Sequence, residues 1–265
     1  MQTDSTRNPS LVARPTLLRV AHRGGAGLAP ENTMAAFRQA LELGVDAVEL
    51  DVHLSRDGVP VVIHDPSLAR TTDGSGEVGE WTVAELSRLN AAARYFGPWT
   101  GERQKIPLLE EVLAEIRGRL SVQVEIKVRQ DGNRYPGIEE KVIDLLRQNG
   151  MIDQAIILSF DFPTLQKVKE LEPALATCAL IGAKYLTQIG VRGPEAVAEE
   201  IASLKADYAG VDERWYSSEL LEALRQRGIR VGVWTVNDED RMRYFLNQRV
   251  AFITSDRPDL LKRIQ

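Results

Sequence analysis

The chain alternates short apolar runs with longer segments whose apolar residues recur at helical spacing. Short runs of this kind predict buried strands, and the amphipathic segments between them predict covering helices. The strand candidates are residues 18–22, 47–52, 60–64, 122–127, 155–160, 176–181, 208–212, 230–235 and 251–254. The helix candidates are residues 32–43, 108–116, 138–148, 162–171, 194–204, 217–227 and 238–247, with Asn32 and Ser217 as N-caps. This alternation predicts an α/β fold with a parallel sheet.

One short connection determines how these nine strands are arranged. Only residues 53–59 separate the second and third strand candidates, whereas a parallel crossover needs a dozen or more residues. Asp57-Gly58 within this connection is a hairpin turn signal. Residues 60–64 should therefore fold back antiparallel on residues 47–52, with His64 almost opposite Leu50. Eight parallel strands remain, which predicts a (β/α)8 TIM barrel.

The barrel repeat is interrupted after the hairpin. Residues 66–106 are rich in glycine, threonine and polar residues, with only a short helical pattern at residues 83–89. Because long loops in compact domains are usually functional, we interpret this segment as an insertion on the active-site rim. Residues 17–265 are predicted to form a single barrel domain, since barrels of roughly 250 residues fold as one unit. Residues 1–16 are polar and are predicted to be a flexible N-terminal tail.

Composition excludes several classes of function. A net charge of -5 and a pI near 5.4 argue against nucleic-acid binding, which requires a basic face. The single cysteine, Cys178, lies in an apolar run and predicts a core residue without an intrachain disulfide. No segment approaches the roughly 20 apolar residues of a membrane span, nor does the N-terminus contain a signal-peptide core. We therefore expect a cytoplasmic protein without stable membrane insertion, and the sequence leaves its oligomeric state open.

Acidic residues occur on the predicted inner faces of two strands. In residues 47–52 the apolar side chains alternate outward, so Glu49 and Asp51 point into the barrel mouth. The same alternation turns Glu125 and Lys127 inward. Three carboxylates in one cleft raise one another's pKa unless a cation compensates, and an all-oxygen set suits Mg²⁺ or Ca²⁺. The alternative is a set of strand-end salt bridges, with Glu125 and Lys127 neutralising each other.

Two of the three histidines end predicted strands. His22 ends the first strand, and His64 ends the hairpin. Catalytic residues of barrels lie at the carboxyl ends of strands, and a pair of imidazoles can serve as acid and base near neutral pH. Arg23 offers bidentate donors for phosphate, and the two glycines after it let backbone amides approach an anion.

These residues lie in six motifs that together resemble one enzyme family. The motifs are His22-Arg23-Gly24, Pro30-Glu31-Asn32-Thr33, Glu49-Leu50-Asp51, His64-Asp65 with Arg70-Thr71-Thr72-Asp73-Gly74, Glu125-Ile126-Lys127 and Trp234-Thr235-Val236-Asn237. In type and order they resemble the glycerophosphodiester phosphodiesterase family over about residues 20–260. The resemblance implies a TIM barrel with a small insertion after the second histidine. It also implies metal-dependent hydrolysis of small glycerophosphodiesters to sn-glycerol 3-phosphate and an alcohol.

The resemblance also implies a role for each motif residue. One divalent cation, Mg²⁺ or Ca²⁺, is held by Glu49, Asp51 and Glu125, while His22 and His64 exchange protons. Phosphate contacts come from Arg23 and Lys127, and Glu31 orients the first motif. Trp234 faces inward by parity and is expected to wall the alcohol side of the pocket, which its family motif supports. Glu31 could equally be an acid in the first turn of a helix. His53 shares the inward parity of Asp51 but falls in the predicted turn, so it is left out of the site.

Two alternatives to this function differ in sequence requirements. A lysophospholipase D-like enzyme or a cyclising phospholipase would need an apolar or basic loop facing a lipid surface, for which residues 94–99 are a candidate. A catalytically inactive, ligand-binding barrel would be expected to lack the histidines or the acids, and all are present. Which histidine is the acid, and whether water or the glycerol 2-hydroxyl attacks first, stay open.

Overall fold

The computed structural model describes residues 17–183, 185 and 193–264, so the predicted tail at residues 1–16 lies outside the described residues. The strands are β1 Leu18–Ala21, β2 Ala47–Leu54, β3 Pro60–Val62, β4 Ser121–Ile126, β5 Ala155–Ser159, β6 Ala176–Ile181, β7 Tyr208–Asp212, β8 Arg230–Trp234 and β9 Phe252–Ser255. The helices are α1 Met34–Leu43, α2 Val83–Leu86, α3 Leu109–Ile116, α4 Ile138–Gln148, α5 Phe162–Leu171, α6 Gly193–Ser203, α7 Ser218–Gln226, α8 Glu239–Asn247 and α9 Pro258–Leu261. Every predicted strand is present.

Eight of these strands close into a parallel barrel. Their order is β1-β9-β8-β7-β6-β5-β4-β2, and a further parallel pairing between β1 and β2 completes the ring. The closing contacts place Val20 opposite Ala47 on one side of β1 and Leu18 opposite Phe252 on the other. Helices cover the outside of the ring, so the predicted (β/α)8 barrel is confirmed.

The remaining strand, β3, pairs antiparallel with β2, as predicted from the turn at Asp57-Gly58. β1 reaches only the first two residues of β2, whereas β3 pairs with its last three residues, from Val52 to Leu54. The hairpin therefore covers a strand end that β1 leaves unpaired, and an uncovered edge would invite non-specific pairing. Because Val52 lies opposite Val62, the same register carries the chain back along β2 and brings His64 opposite Leu50, next to the acids of that strand.

The alternation of side chains divides the core into two layers. Val48, Leu50 and Val52 join the large outer cluster between strands and helices. The barrel interior holds a smaller cluster that includes Ala47, and it lies below the acids of the same strand face. Each fully buried valine or leucine stabilises the fold by about 1.5–3 kcal/mol, so the outer layer fixes which residues face inward.

One predicted cap is wrong. The N-cap of α1 is Thr33, whose Oγ1 accepts a hydrogen bond from Ala36 N at 3.3 Å. Asn32 has a positive φ of 56°, a conformation that asparagine tolerates better than most residues, and its side chain turns toward Asp51. Ser217 caps α7 as predicted, accepting from Leu220 N at 3.1 Å.

Residues 66–106 connect β3 to α3 and contain their own small hydrophobic cluster. Leu68, Val78, Leu86 and Ile106 pack there with side chains of the hairpin. Packing against the hairpin holds Arg70 next to the barrel mouth, where it pairs with Asp65. No helix in the described part of the chain is both long and apolar enough to cross a membrane.

Candidate active site

Three carboxylates meet at the carboxyl ends of β2 and β4. Asp51 and Glu125 are register partners on these adjacent parallel strands, and Glu49 lies two residues before Asp51 on the same face. One oxygen from each of the three side chains lies within 4.8 Å of the others, and all three residues are buried. The structure thus brings together the three predicted metal ligands.

Two cations adjoin the carboxylates. Lys127 Nζ lies 2.9 Å from Asp51 Oδ1 and 2.5 Å from Glu125 Oε1. Arg23 Nε lies 3.4 Å from Asp51 Oδ2. The salt bridge between Glu125 and Lys127 considered from the sequence is therefore present, but two cations do not balance three buried carboxylates.

The loop after β1 orients the acids of β2. Asn32 Nδ2 donates to Asp51 Oδ2 at 2.8 Å, and the backbone N–H of Arg23 donates to Glu49 Oε2 at 3.0 Å. The Arg23 amide is presented in a tight turn, in which Arg23 and Gly24 both have positive φ values. A Cβ on Gly24 would lie 2.7 Å from the Cβ of Ala36, so glycine is required there.

Both predicted histidines are held through Nδ1 by a carboxylate. His22 Nδ1 lies 2.6 Å from Asp256 Oδ1, at the end of β9, and His64 Nδ1 lies 2.6 Å from Asp65 Oδ1. Asp256 is itself held by Asn237, whose Nδ2 donates to Oδ2 at 2.7 Å. Since Nδ1 is occupied in both rings, Nε2 is the nitrogen that each can present to a ligand.

Glu31 links two arginines at the rim. It accepts from Arg23 at 2.9 Å and from Arg70 at 2.8 Å and 2.6 Å. It precedes the first residue of α1, Met34, so it is not a first-turn helix acid. Its position agrees instead with the predicted role of orienting the first motif.

A cavity of about 100 Å³ opens between these groups. Its polar side is formed by the two predicted histidines with Arg23, Glu49 and Glu125, and its apolar side by side chains at or next to β5, β6, β8 and β9. The lining includes His22, Arg23, Glu49, His64, Glu125, Leu158, Phe160, Leu180, Trp234 and Phe252. Trp234, predicted to wall the pocket, is fixed by a hydrogen bond from Nε1 to Gly210 O at 2.9 Å and meets Phe160 edge-on.

The profile of the glycerophosphoryl diester phosphodiesterase family matches residues 22–260. The chain belongs to this family. Among its relatives, the glycerophosphodiester phosphodiesterase of Caldanaerobacter subterraneus is 37% identical over 246 residues, covering 92% of this chain and 96% of the relative. The enzyme of the same name from Bacillus subtilis is 32% identical over 273 residues, covering 97% and 89%.

Solved structures of the family share the fold. A glycerophosphodiester phosphodiesterase from Agrobacterium tumefaciens has a TM-score of 0.77 at 31% identity, covering 94% of this chain and all of its own. A phosphodiesterase from Oleispira antarctica, solved with the product sn-glycerol-3-phosphate, has a TM-score of 0.79 at 30% identity, covering 93% and 96%. The chain is therefore similar to family members over nearly its full described length.

The charges of the acid cluster fit a divalent cation. Burial, reinforced by the charge of Asp51, raises the pKa of Glu49 to about 8. Burial also raises the pKa of Glu125, whereas Lys127 and Arg23 outweigh burial at Asp51 and lower its pKa. Two oxygen ligands of one Mg²⁺ or Ca²⁺ lie at most about 4–5 Å apart. The three carboxylates meet this limit, since one oxygen of each lies within 4.8 Å of the others. The raised pKa values of Glu49 and Glu125 thus reflect buried negative charge that a divalent cation would balance.

The two histidines have opposite pKa shifts. Burial disfavours the charged form of His22, but the hydrogen bond to Asp256 and the charge of Glu49 outweigh it and raise the pKa. Burial and the nearby charge of Lys127 lower the pKa of His64 to about 4. His22 is therefore the ring of the pair that more readily holds a proton, and His64 is the ring that stays neutral.

Three supporting residues of this family member were missed in the predicted site. Asp65 and Asp256 hold the histidines, and Asn32 holds Asp51. A signal existed for Asp256, because it follows the carboxyl end of β9, the barrel edge where functional residues lie. The signal for Asp65 is different, namely a carboxylate that directly follows a candidate catalytic histidine. Asn32 was assigned to helix capping, the commoner role of an asparagine before a helix.

Proposed function

We propose that this protein hydrolyses small glycerophosphodiesters to sn-glycerol 3-phosphate and an alcohol by proton exchange between His22 and His64. The observation that carries the proposal is that two histidines, each held by a carboxylate, line one cavity beside a buried acid cluster. The product bound to the Oleispira antarctica relative supports the substrate class.

The acid cluster is the proposed site of one divalent cation, Mg²⁺ or Ca²⁺. Glu49, Asp51 and Glu125 would hold it, and when bound it supplies positive charge to a phosphate oxygen. Arg23 lines the cavity and adds a cationic donor, with its guanidinium held by Glu31. Lys127 compensates Asp51 and Glu125 and adds positive charge beside the phosphate.

The pKa shifts of the two histidines support one direction for the proton transfer. His64, neutral because its pKa lies at about 4, is the proposed base that takes a proton from the nucleophile. Attack by water would give sn-glycerol 3-phosphate directly, whereas attack by the glycerol 2-hydroxyl would give a cyclic phosphate that water then opens. His22, with its raised pKa, is the proposed acid that donates to the departing alcohol. Asp256 holds Nδ1 of His22 and stabilises the imidazolium, so that Nε2 carries the transferable proton.

A lysolipid-hydrolysing activity is a second candidate. Phe96, within the segment noted from the sequence at residues 94–99, is 95% exposed. A large exposed apolar side chain is what an enzyme working at a lipid surface would present. Because the same catalytic residues would serve both substrates, only substrate preference separates the two functions.

Release of the head-group alcohol from a panel of soluble glycerophosphodiesters and lysophospholipids tests both. The second product is sn-glycerol 3-phosphate from the soluble diesters and 1-acyl-sn-glycerol 3-phosphate from the lysophospholipids. We expect turnover of the soluble diesters, loss of it with chelator, and recovery on adding Mg²⁺ or Ca²⁺. His22→Ala and His64→Ala should each lose about 10²-fold or more of kcat. Full activity in chelator would refute the metal role, and an unaffected alanine variant would refute that histidine's role. Turnover of lysolipids alone would favour the second candidate.

A further inference from the structure

His53, which the sequence placed in a turn, is a strand residue. β2 extends to Leu54, so His53 continues the inward face that carries Glu49 and Asp51. Its side chain is completely buried. Nε2 lies 3.0 Å from the backbone oxygen of His64, and Nδ1 lies 3.0 Å from the hydroxyl of Tyr135. Both ring nitrogens are thus engaged, one of them by the main chain of the proposed base.

These partners allow only one arrangement of protons in a neutral ring. A carbonyl oxygen can only accept, so Nε2 of His53 carries the proton and donates to His64. Nδ1 is then an acceptor, and the hydroxyl of Tyr135 must donate to it. The ring is completely buried, which disfavours its charged form. Tyr135 therefore selects the tautomer of His53 that can hold the His64 carbonyl.

The contact falls where the hairpin leaves the sheet. Ile63 N still donates to Asp51 O at 3.0 Å, and the following residue, His64, lies beyond the end of β3. From there the His64 carbonyl is held by the His53 ring, and the His64 imidazole by Asp65. The two contacts fix opposite ends of one residue. Tyr135, in the loop between β4 and α4, is 7% exposed and meets the His53 ring edge-on, which holds that ring in turn.

We propose that His53 and Tyr135 are positioning residues that fix the backbone of His64 and thereby aim its Nε2 into the cavity. The inference rests on the proposed function, in which His64 is the base. A base that is displaced by a fraction of an ångström loses proton-transfer efficiency, while the affinity for substrate is unaffected. The expected signature is a fall in kcat with little change in KM.

Variants of His53 separate the hydrogen bond from the bulk of the ring. The amide nitrogen of His53→Gln can take the place of Nε2 and donate to His64. His53→Asn places its amide near Nδ1 and cannot reach that carbonyl, and His53→Leu has no donor. We expect His53→Asn and His53→Leu to lose about 10-fold to 10²-fold of kcat, and His53→Gln to recover to within a few-fold of wild type.

Tyr135→Phe is the mildest test, since it removes one hydroxyl and leaves the aromatic packing. We expect kcat to fall several-fold with KM unchanged. Tyr216→Phe is the matched control, because that hydroxyl bonds Gln248 away from the site, and it should keep wild-type kcat. A wild-type kcat in folded Tyr135→Phe, or an equal loss in His53→Gln and His53→Leu, would overturn the proposal. Thermal midpoints show whether losses merely follow stability.

A second measurement does not depend on turnover. With only three histidines, the imidazole ¹⁵N signals can be assigned by substitution. The wild-type spectrum should show His53 protonated at Nε2, and Tyr135→Phe should disturb the signals of both His53 and His64, whereas Tyr216→Phe should not. Unchanged His64 signals in Tyr135→Phe would refute positioning even if the wild type hydrolysed no glycerophosphodiester. Inactive wild type with the expected spectra would instead refute only the proposed function.

Discussion

Replacing Asp256 by asparagine tests the assignment of His22 as the acid. Asp256 N donates to Asn237 Oδ1 at 2.8 Å, which fixes that amide so that its Nδ2 faces Asp256 Oδ2. An asparagine at position 256 must therefore turn its oxygen toward Asn237 and its NH₂ toward His22. That NH₂ can only donate, so Nδ1 of His22 has to accept. The protonated imidazolium, which needs acceptors at both nitrogens, is then disfavoured.

The size of the effect follows from the interaction that is lost. A hydrogen bond to a charged group contributes about 1.5–3 kcal/mol, and here an acceptor at 2.6 Å is replaced by a donor. We therefore expect a loss near 3 kcal/mol, which corresponds to about 10²-fold in kcat/KM. Because Asp256 is one cause of the raised pKa of His22, the alkaline limb of the pH–rate profile should move to lower pH. The acidic limb, governed by the pKa of His64 at about 4, should not move.

The decisive assay compares two leaving groups. A glycerophosphodiester with an alkyl alcohol needs a proton as it departs, whereas a 4-nitrophenyl ester departs without one. Asp256→Asn should lose about 10²-fold on the first substrate and much less on the second. Asp144→Asn, which removes an exposed carboxylate paired with Arg147 on α4, is the control for net charge. Equal losses on both substrates would refute the acid role of His22, as would wild-type activity on the alkyl diester.

Three further predictions concern metal binding and stability. Between pH 6.5 and about 8, Glu49 holds a proton only in the folded state, so the metal-free protein should become less stable as the pH rises. In thermal melts the unfolding midpoint should fall over this range, and it should fall less in Glu49→Gln. A midpoint of the wild type that rises with pH would contradict this prediction. Asn32→Ala removes the hydrogen bond that orients Asp51 and should weaken the affinity for Mg²⁺ or Ca²⁺ about 10-fold to 10²-fold, as measured by calorimetry. Asn149→Ala, which removes an asparagine at the end of α4, should leave that affinity unchanged. Gly24→Ala should lower the free energy of unfolding, measured with denaturant, by about 1–3 kcal/mol more than Gly118→Ala does. Gly118 is the control because its φ is similar but no atom lies near the added Cβ.

The periodicity of apolar residues predicted the barrel well, because the alternation within each strand shows which of its side chains face the barrel interior. In β2, the apolar side chains at positions 48, 50 and 52 leave only the inward face for Glu49 and Asp51. The turn at Asp57-Gly58 was equally informative, since its length excludes a parallel crossover and thus reduces nine strands to a ring of eight. Local patterns of this kind determine which residues share a face and which end of the barrel they approach.

The supporting residues could not be predicted in the same way, because their partners are distant in sequence. Asp256 lies 234 residues from His22, and no local pattern relates them. Tyr135 reaches His53 from 82 residues away through a loop. Asn32 shows a different difficulty, since its neighbour Thr33 satisfies the capping pattern equally well. The pKa shifts also depend on burial and on charges from several strands, so no single motif determines them.

The register of β2 joins the packing of the protein to its proposed chemistry. Glu49, Asp51 and His53 occupy successive inward positions, two in the acid cluster and one against the backbone of His64. A slip of one residue would turn all three outward and bury none of them at the site. The same slip would move three apolar side chains from the outer core into the barrel mouth, at a cost of several kcal/mol, since each contributes about 1.5–3 kcal/mol when buried. Side chains with no part in the chemistry thus hold the acids and the proposed base in a single arrangement.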